Sequence, residues 1–283
     1  MGLRTRRRLC PPVTLALLTL ALLPGCGPSS DSTNPAGPPA KILMVQGYIL
    51  RELLAQDKPL AGSFAGRTTY AISTSAPAPA VPRLPGTIER TVKYTSYSAF
   101  AADMAAGRVP RSVHAVLYDI EMWPSTPLTE QQNPLVYMVR FSKLARAHGL
   151  LPILAPARDL MLVRGASCGK RPGENLSQAY IRCGLAGADA RAGVLVVQSQ
   201  IAQFDVLQFR NFLVLAARQA RAGNPRVAVL AQLATAPQGH VASLTQLVTA
   251  ARSVGELVQG FSLNVRVADV PTADGLLWSL KQR

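Results

Sequence analysis

Short apolar runs alternate with longer amphipathic segments from residue 42 to the end of the chain. Runs of this length are typical of strands that are buried on both faces of a parallel sheet. Between them, apolar residues recur at helical spacing, most clearly in Pro134–Ala147, Asp205–Ala222 and Val241–Val254. The predicted strands, six clear and two weaker, are Ile42–Val45, Ala115–Tyr118, Leu150–Leu154, Val194–Val197, Val227–Leu230 and Gly260–Leu263, with Thr69–Ser73 and Leu276–Leu280.

The alternation of strands and helices predicts an α/β domain with a parallel sheet. Eight candidate strands fall within the 243 residues from Lys41 to Arg283, close to the ~250 residues of a (β/α)8 barrel, or TIM barrel. An open doubly wound sheet is the alternative, but Gln46-Gly47-Tyr48 after the first strand lacks the Gly-rich pattern of a dinucleotide site. We therefore predict one (β/α)8 domain over residues 41–283, without a cofactor.

The first 40 residues predict export and a tether. A cationic start precedes the apolar run Val13–Leu23, which is about half the ~20 residues that a spanning helix needs, so residues 1–26 are predicted to be a signal peptide. Leu23-Pro24-Gly25-Cys26 resembles the bacterial lipobox, which implies lipidation of Cys26 at the outer face of the cell membrane. Ordinary cleavage, leaving a secreted protein, is the alternative. The Gly-, Pro- and Ser-rich residues 27–40 predict a linker.

The composition narrows the choice of partners. Hydrophobic residues make up 48% of the chain, which excludes global disorder. The 30 Lys and Arg against 15 Asp and Glu give a formal charge of +15, which raises the question of nucleic-acid binding. No run of basic residues follows the signal segment, so we expect no nucleic-acid partner and contact with a membrane through the N-terminal lipid only. The expected partner is a carbohydrate or cell-wall polymer, and we expect a monomer.

Polar and aromatic residues collect where the predicted strands end. In barrel enzymes the chemistry lies at the carboxyl ends of the strands. Amide and carboxylate groups there can hydrogen-bond the hydroxyl groups of a sugar, and a flat aromatic ring can cover its apolar face. The sequence therefore predicts a carbohydrate site that contains Tyr48, Trp123, Asp159, Gln198, Gln200, Gln232, Asn264 and Trp278.

The sharpest motif is Tyr118-Asp119-Ile120-Glu121-Met122-Trp123, directly after a predicted buried strand. Side chains two residues apart on a strand project the same way, so Asp119 and Glu121 are expected to lie together. Their mutual repulsion would raise the pKa of one of them. We predict Glu121 as a general acid on a glycosidic oxygen and Asp119 as its orienting partner. An acidic pair that only caps the strand end or pairs with Arg is the alternative.

Three stretches of the chain resemble known proteins. Asp119-x-Glu121 resembles the end of the DxxDxDxE motif of family 18 glycoside hydrolases, the chitinase-like barrels, with His114 and Leu117 at the first two Asp positions. This resemblance implies that Glu121 is the acid and that the acetamido group of the substrate is the nucleophile. Gly275–Leu280 resembles that family's last strand, which implies that Trp278 floors a sugar site. Tyr118–Pro134, continuing to Ala155-Pro156, resembles uncharacterised secreted proteins of actinobacteria, which implies no activity.

Other candidate groups add little chemistry. No two His residues have metal-ligand spacing, so no metal site is predicted. Asp159 is either a second carboxylate of the site or a helix N-cap. Cys168 and Cys183 predict a disulfide that pins a long loop.

The leading hypothesis is a glycoside-hydrolase-like enzyme. The alternatives are a non-catalytic carbohydrate-binding or cell-wall-associated protein on a degenerate barrel, and a structural lipoprotein without a ligand.

Overall fold

The computed structural model describes residues 41–74, 83–187 and 191–281. Eight parallel strands close into a barrel in chain order, with β8 paired to β1, so the predicted (β/α)8 barrel is confirmed. The predictions for the signal peptide, Cys26 and the linker lie outside the described residues. The strands are β1 (Ile42–Gln46), β2 (Thr68–Ser73), β3 (Thr87–Tyr94), β4 (Ala115–Tyr118), β5 (Leu151–Leu154), β6 (Val194–Val197), β7 (Ala228–Ala234) and β8 (Gly260–Asn264).

Helices cover the outside of the barrel. Within the described ranges they are α1 (Gly47–Gln56), α2 (Tyr97–Ala105), α3 (Leu128–Gln132), α4 (Pro134–Ala147), α5 (Leu176–Arg182), α6 (Val206–Gly223), α7 (Leu244–Val254) and α8 (Val270–Lys281). Short 3-10 helices lie at Lys58–Phe64, Arg158–Leu162, Pro237–Gly239 and Val267–Asp269. The described part of the β2–β3 connection contains no α-helix. The helix predicted over Pro134–Ala147 is confirmed as α4.

Alternate strand residues face opposite sides of the barrel wall. The inward-facing set packs into an apolar cluster, and the outward-facing set packs under the helices. The close approach of β8 to β1 depends on Gly260, because a Cβ at that position would lie 1.9 Å from the carbonyl oxygen of Ile42. The inward cluster includes Met44, Tyr70, Leu117, Ile153, Val196 and Leu230.

The strand predicted at Leu276–Leu280 is wrong. These residues belong to α8, in which Ala273, Leu277 and Leu280 are buried at helical spacing. A short run containing three Leu residues does not distinguish a buried strand from a buried helix face. The 3.6-residue period becomes visible only when the segment is extended back to Val270.

One strand of the barrel, β3, was not among the strands predicted from the sequence. Its register with β2 pairs Glu89 with the inward-facing Tyr70, and its register with β4 pairs Lys93 with the inward-facing Leu117. The inward-facing positions of β3 are therefore polar, and no apolar run marks the strand. Lys93 lies near its carboxyl end, where the candidate site forms.

Candidate active site

A cavity of about 330 Å³ lies at the carboxyl ends of the strands. This volume is within the ~300–1,000 Å³ range of small-molecule sites. Its floor includes the inward-facing Met44, Leu117 and Val196. Three polar sectors line its wall. They are a cationic sector (Arg51, Ser73, Thr74, Lys93), an acidic sector (Asp119, Glu121) and an amide sector (Gln200, Gln232, Asn264).

The two carboxyl groups of the acidic sector share one amide donor. Asp119 and Glu121 directly follow β4, and Gln198 directly follows β6. Gln198 Nε2 lies 3.0 Å from Asp119 Oδ1 and 3.0 Å from Glu121 Oε1. It also donates to the carbonyl oxygen of Ala155 at 3.0 Å. Gln198 is buried, so it holds the acid pair from the protein side and does not line the cavity.

Lys93 gives Asp119 a second partner. Its Nζ lies 3.0 Å from Asp119 Oδ2, and the two side chains are 19% and 14% exposed. Both carboxyl oxygens of Asp119 thus accept from a donor, whereas Glu121 accepts only at Oε1 from the residues that the structure describes. We therefore place a proton shared by the pair on Glu121, because both oxygens of Asp119 accept from a donor that stabilises the ionised form, whereas Glu121 Oε2 accepts from no described residue.

The electrostatics of the pair agree with this placement. Burial raises the pKa of Glu121 to about 8, and the charge of Asp119 adds to the increase. The hydrogen bond from Gln198 and the ammonium group of Lys93 oppose it. Burial also raises the pKa of Asp119, while Lys93 and a hydrogen bond with Glu121 lower it. Near neutral pH the geometry favours a protonated Glu121 beside an ionised Asp119.

Asp159 supports the loop that carries Glu121. It lies in the 3-10 helix after β5, and both of its carboxyl oxygens are 3.3 Å from the backbone nitrogen of Met122. Its charge also raises the pKa of Glu121. Asp159 is not among the residues that line the cavity, and the N-cap of its helix is Ala157. The carboxylate therefore acts on the backbone next to Glu121, and the N-cap alternative is wrong.

Two aromatic side chains flank the cavity. Tyr48, at the start of α1, is 44% exposed, and Trp123 lies two residues after Glu121. Lys93 Nζ lies 4.8 Å from the centroid of the Trp123 ring, a cation–π contact. Trp123 therefore lines the cavity and also packs against Lys93, the cation that pairs with Asp119.

The amide sector retains unused hydrogen-bonding capacity. Gln200 follows β6, Gln232 lies within β7 and Asn264 ends β8, and all three line the cavity. The amide oxygens of Gln200 and Gln232 are buried and accept no hydrogen bond from the described residues. Buried polar atoms without a partner cost ~1–3 kcal/mol each, so they are uncommon unless a ligand or water uses the group.

Trp278 lies away from the cavity, and the prediction that it floors a sugar site is wrong. Its indole nitrogen donates to Asp57 Oδ2 at 2.8 Å, and Lys281 Nζ lies 4.6 Å from its ring centroid. Trp278 belongs to α8, which packs against α1 and α7 on the outside of the barrel. The prediction failed because it depended on a final strand that the chain does not form.

The structure adds residues that sequence reasoning missed. Lys93 pairs with Asp119, and Arg51 and Thr74 line the same cavity. One signal for Lys93 is the alternation of polar with β-branched or aromatic residues in Thr87–Tyr94, which is typical of a strand. For Arg51 the signal is its position three residues after the predicted site residue Tyr48, which places the two side chains on one face of a helix.

The predicted disulfide between Cys168 and Cys183 is confirmed. It closes a loop that follows the 3-10 helix carrying Asp159, and Lys170 N donates back to the carbonyl oxygen of Met161 in that helix. Closing a loop of this size stabilises the fold by ~3 kcal/mol in the chain-entropy model. A disulfide is consistent with an extracellular protein.

Neither a metal cluster nor a membrane span is found in the described part of the chain. No group of three or more His, Cys, Asp or Glu residues is placed to hold a metal ion there. No helix in those ranges is long and apolar enough to cross a membrane.

Comparisons with known proteins show no family for this chain. No protein-family model matches the chain, and no curated protein matches it. The crystal structure of a sugar phosphate isomerase/epimerase from Parabacteroides distasonis ATCC 8503 matches at a TM-score of 0.43 and 13% identity, over 89% of this chain and 97% of that one. Tryptophan synthase from M. tuberculosis matches at 0.42 and 11%, over 86% and 92%.

A third match is a probable tagatose 6 phosphate kinase from Sinorhizobium meliloti 1021, at a TM-score of 0.40 and 12% identity, over 80% of this chain and 64% of that one. At such scores the likeness carries no argument about chemistry. The functional argument therefore depends on the cavity itself.

Proposed function

We propose that the protein is an exported, glycoside-hydrolase-like enzyme that acts on a carbohydrate, with Glu121 as its general acid. The observation that carries the proposal is the acid pair in the cavity, in which Glu121 has a pKa of about 8 and Asp119 is paired with Lys93. A carboxyl group that keeps its proton near neutral pH, beside one that does not, is the arrangement that acid catalysis requires.

In this mechanism, Glu121 donates its proton to the glycosidic oxygen while the bond from that oxygen to the anomeric carbon breaks. The leaving sugar departs as an alcohol, and the positive charge that develops on the remaining ring is opposed by the ionised Asp119. The anomeric carbon is then attacked by the substrate's acetamido oxygen, as the resemblance to family 18 implies, or by water. The water that completes hydrolysis returns a proton to Glu121.

Other side chains have positioning and binding roles. Lys93 and Gln198 both contact Asp119, and they favour its ionised form through hydrogen bonds of 3.0 Å. Asp159 fixes the backbone after Glu121 through Met122 N. The hydroxyl groups of the sugar bind the amide sector, and its apolar face contacts Tyr48 or Trp123.

The general-acid assignment is tested by Glu121→Gln on a panel of polysaccharides, with release of reducing ends as the readout. Glu256→Gln is the matched control, because Glu256 is an exposed carboxylate outside the cavity. We expect the first variant to lose at least ~100-fold in rate, the lower range for a positioned general acid, and the control to keep full activity. Wild-type activity in Glu121→Gln would refute the assignment.

The location is the second part of the proposal. The signal-like residues 1–26, the lipobox-like end at Cys26 and the disulfide together support export and a lipid anchor. Incorporation of labelled palmitate into the wild type and its loss in Cys26→Ala would support lipidation. Equal labelling of both, or a protein retained inside the cell, would contradict it.

A non-catalytic carbohydrate-binding protein is the second candidate. The observation in its favour is that Lys93 and Gln198 already partner the acid pair, as they would in a structural network. A glycan array followed by assay of each hit separates the two. Binding without release of reducing ends from any hit supports the binding protein, and hydrolysis of a bound glycan supports the enzyme.

A further inference from the structure

We infer that the sugar unit bound in this cavity carries an acidic substituent, so that the substrate is an acidic glycan; this inference rests on the proposed function. The cavity is polarised. Arg51 and Lys93 line the wall at α1 and β3, with Thr74 after the intervening strand, and no acidic side chain lines this part of the wall. The carboxyl groups lie in the adjacent acidic sector, after β4.

Arg51 is the first element of the argument. It is an exposed residue of α1 that lines the cavity, and it forms no hydrogen bond or ion pair with any residue in the described ranges. None of its five N–H donors is used by a residue in those ranges. This fork matches a carboxylate, phosphate or sulfate group, which it can bind through two parallel hydrogen bonds.

Lys93 is the second element. Its ammonium group carries three donors, and one of them is used by Asp119 Oδ2 at 3.0 Å. The side chain is 19% exposed and lines the cavity, so further donors can reach a ligand. Two cations that line one wall favour the binding of an anionic group there.

The opposite charges of the two sectors would also orient the sugar. An acidic substituent is attracted by Arg51 and repelled by the ionised Asp119, so it settles at the cationic sector. The glycosidic oxygen, which must receive a proton, is then left for Glu121. A neutral sugar lacks this electrostatic preference between the two walls.

The experiment measures binding of four probes by NMR titration: glucose, glucuronate, glucose 6-phosphate and glucose 6-sulfate. The proteins are the wild type, Arg51→Met, Arg51→Lys and the control Arg252→Met, which removes the same charge from an exposed position on α7. We expect at least one acidic probe to bind ~10-fold more tightly than glucose, and Arg51→Met to lose that advantage. Arg252→Met should keep it, and added salt should weaken it. The ranking of the three acidic probes identifies the substituent.

Two results would overturn the inference: no acidic probe binds better than glucose, or Arg51→Met and Arg252→Met lose affinity equally, which would indicate attraction by net charge alone. Its failure is distinguishable from that of the proposed function. If acidic sugars bind through Arg51 but no acidic glycan is hydrolysed, the proposed enzyme activity is contradicted and the acidic-sugar site is supported. If a neutral glycan is hydrolysed through Glu121 and acidic sugars bind no better than glucose, the acidic-sugar inference is contradicted and the enzyme activity is supported.

Discussion

Replacing Glu121 with Gln should make the protein more stable at pH 8 than the wild type. The amide has nearly the same shape as a protonated carboxyl group, can still accept from Gln198 Nε2 through its oxygen, and can donate to Asp119. It has no proton to lose, so it never places a second negative charge beside Asp119. The substitution thus isolates the cost of ionising Glu121 in the folded protein.

The size of the effect follows from the pKa of Glu121. That pKa rises from an ordinary 4.5 to about 8 on folding, mainly through burial and then through the charge of Asp119. The folded state therefore holds a proton that the unfolded chain has lost between these pH values, and the free energy of unfolding falls as the pH rises through this window. At ~1.4 kcal/mol per pKa unit the full shift corresponds to ~5 kcal/mol.

Urea denaturation at pH 4.5 and pH 8, with the disulfide intact, measures this difference. At each pH we subtract the free energy of unfolding of the wild type from that of Glu121→Gln. We expect this difference to be ~2–5 kcal/mol larger at pH 8 than at pH 4.5. Glu256→Gln should show no such change between the two pH values. A difference between Glu121→Gln and the wild type that is the same at both pH values would refute the reasoning.

Three further predictions concern other parts of the structure. Lys93→Met removes a charge-assisted hydrogen bond to Asp119 and should raise the pKa of that carboxyl, so the midpoint of the acidic limb of the kcat/KM profile should move to higher pH, while Lys93→Arg should leave it near the wild type; an unmoved midpoint in the Met variant would contradict the ion-pair role. Trp278→Phe should cost ~1 kcal/mol in thermal unfolding through the lost bond to Asp57 and leave activity unchanged, and lost activity would place Trp278 in the site. Gly260→Ala should destabilise the fold by at least ~2 kcal/mol in urea, because the Cβ would overlap the Ile42 oxygen, and wild-type stability would contradict this packing.

The barrel was predictable from the sequence because most of its strands are apolar on both faces. Such strands read as short apolar runs, and six of them are clear. The exception is β3, which contributes polar residues such as Lys93 to the barrel interior and so carries no apolar run. The strand that is hardest to recognise is therefore the one that carries a charged residue into the site.

The acid pair was predictable from local geometry, and its partners were not. Asp119 and Glu121 are two residues apart after a buried strand, which is enough to place them together. Gln198 is 79 residues from Asp119 in the chain, so its hydrogen bond to the pair arises only when β4, β5 and β6 pair side by side. Trp278 shows that a local pattern can also mislead. The apolar run around it predicted a strand, but these residues form the buried face of α8.

The central claim is that Glu121 keeps its proton near neutral pH. Carbon-13 NMR titration of the side-chain carboxyl groups, with Glu121→Gln used to assign the resonance, tests this claim without a substrate. We predict that the Glu121 carboxyl titrates with a midpoint near 8. A midpoint near its ordinary value of 4.5 would contradict the account, because Glu121 would then have no proton to donate at neutral pH.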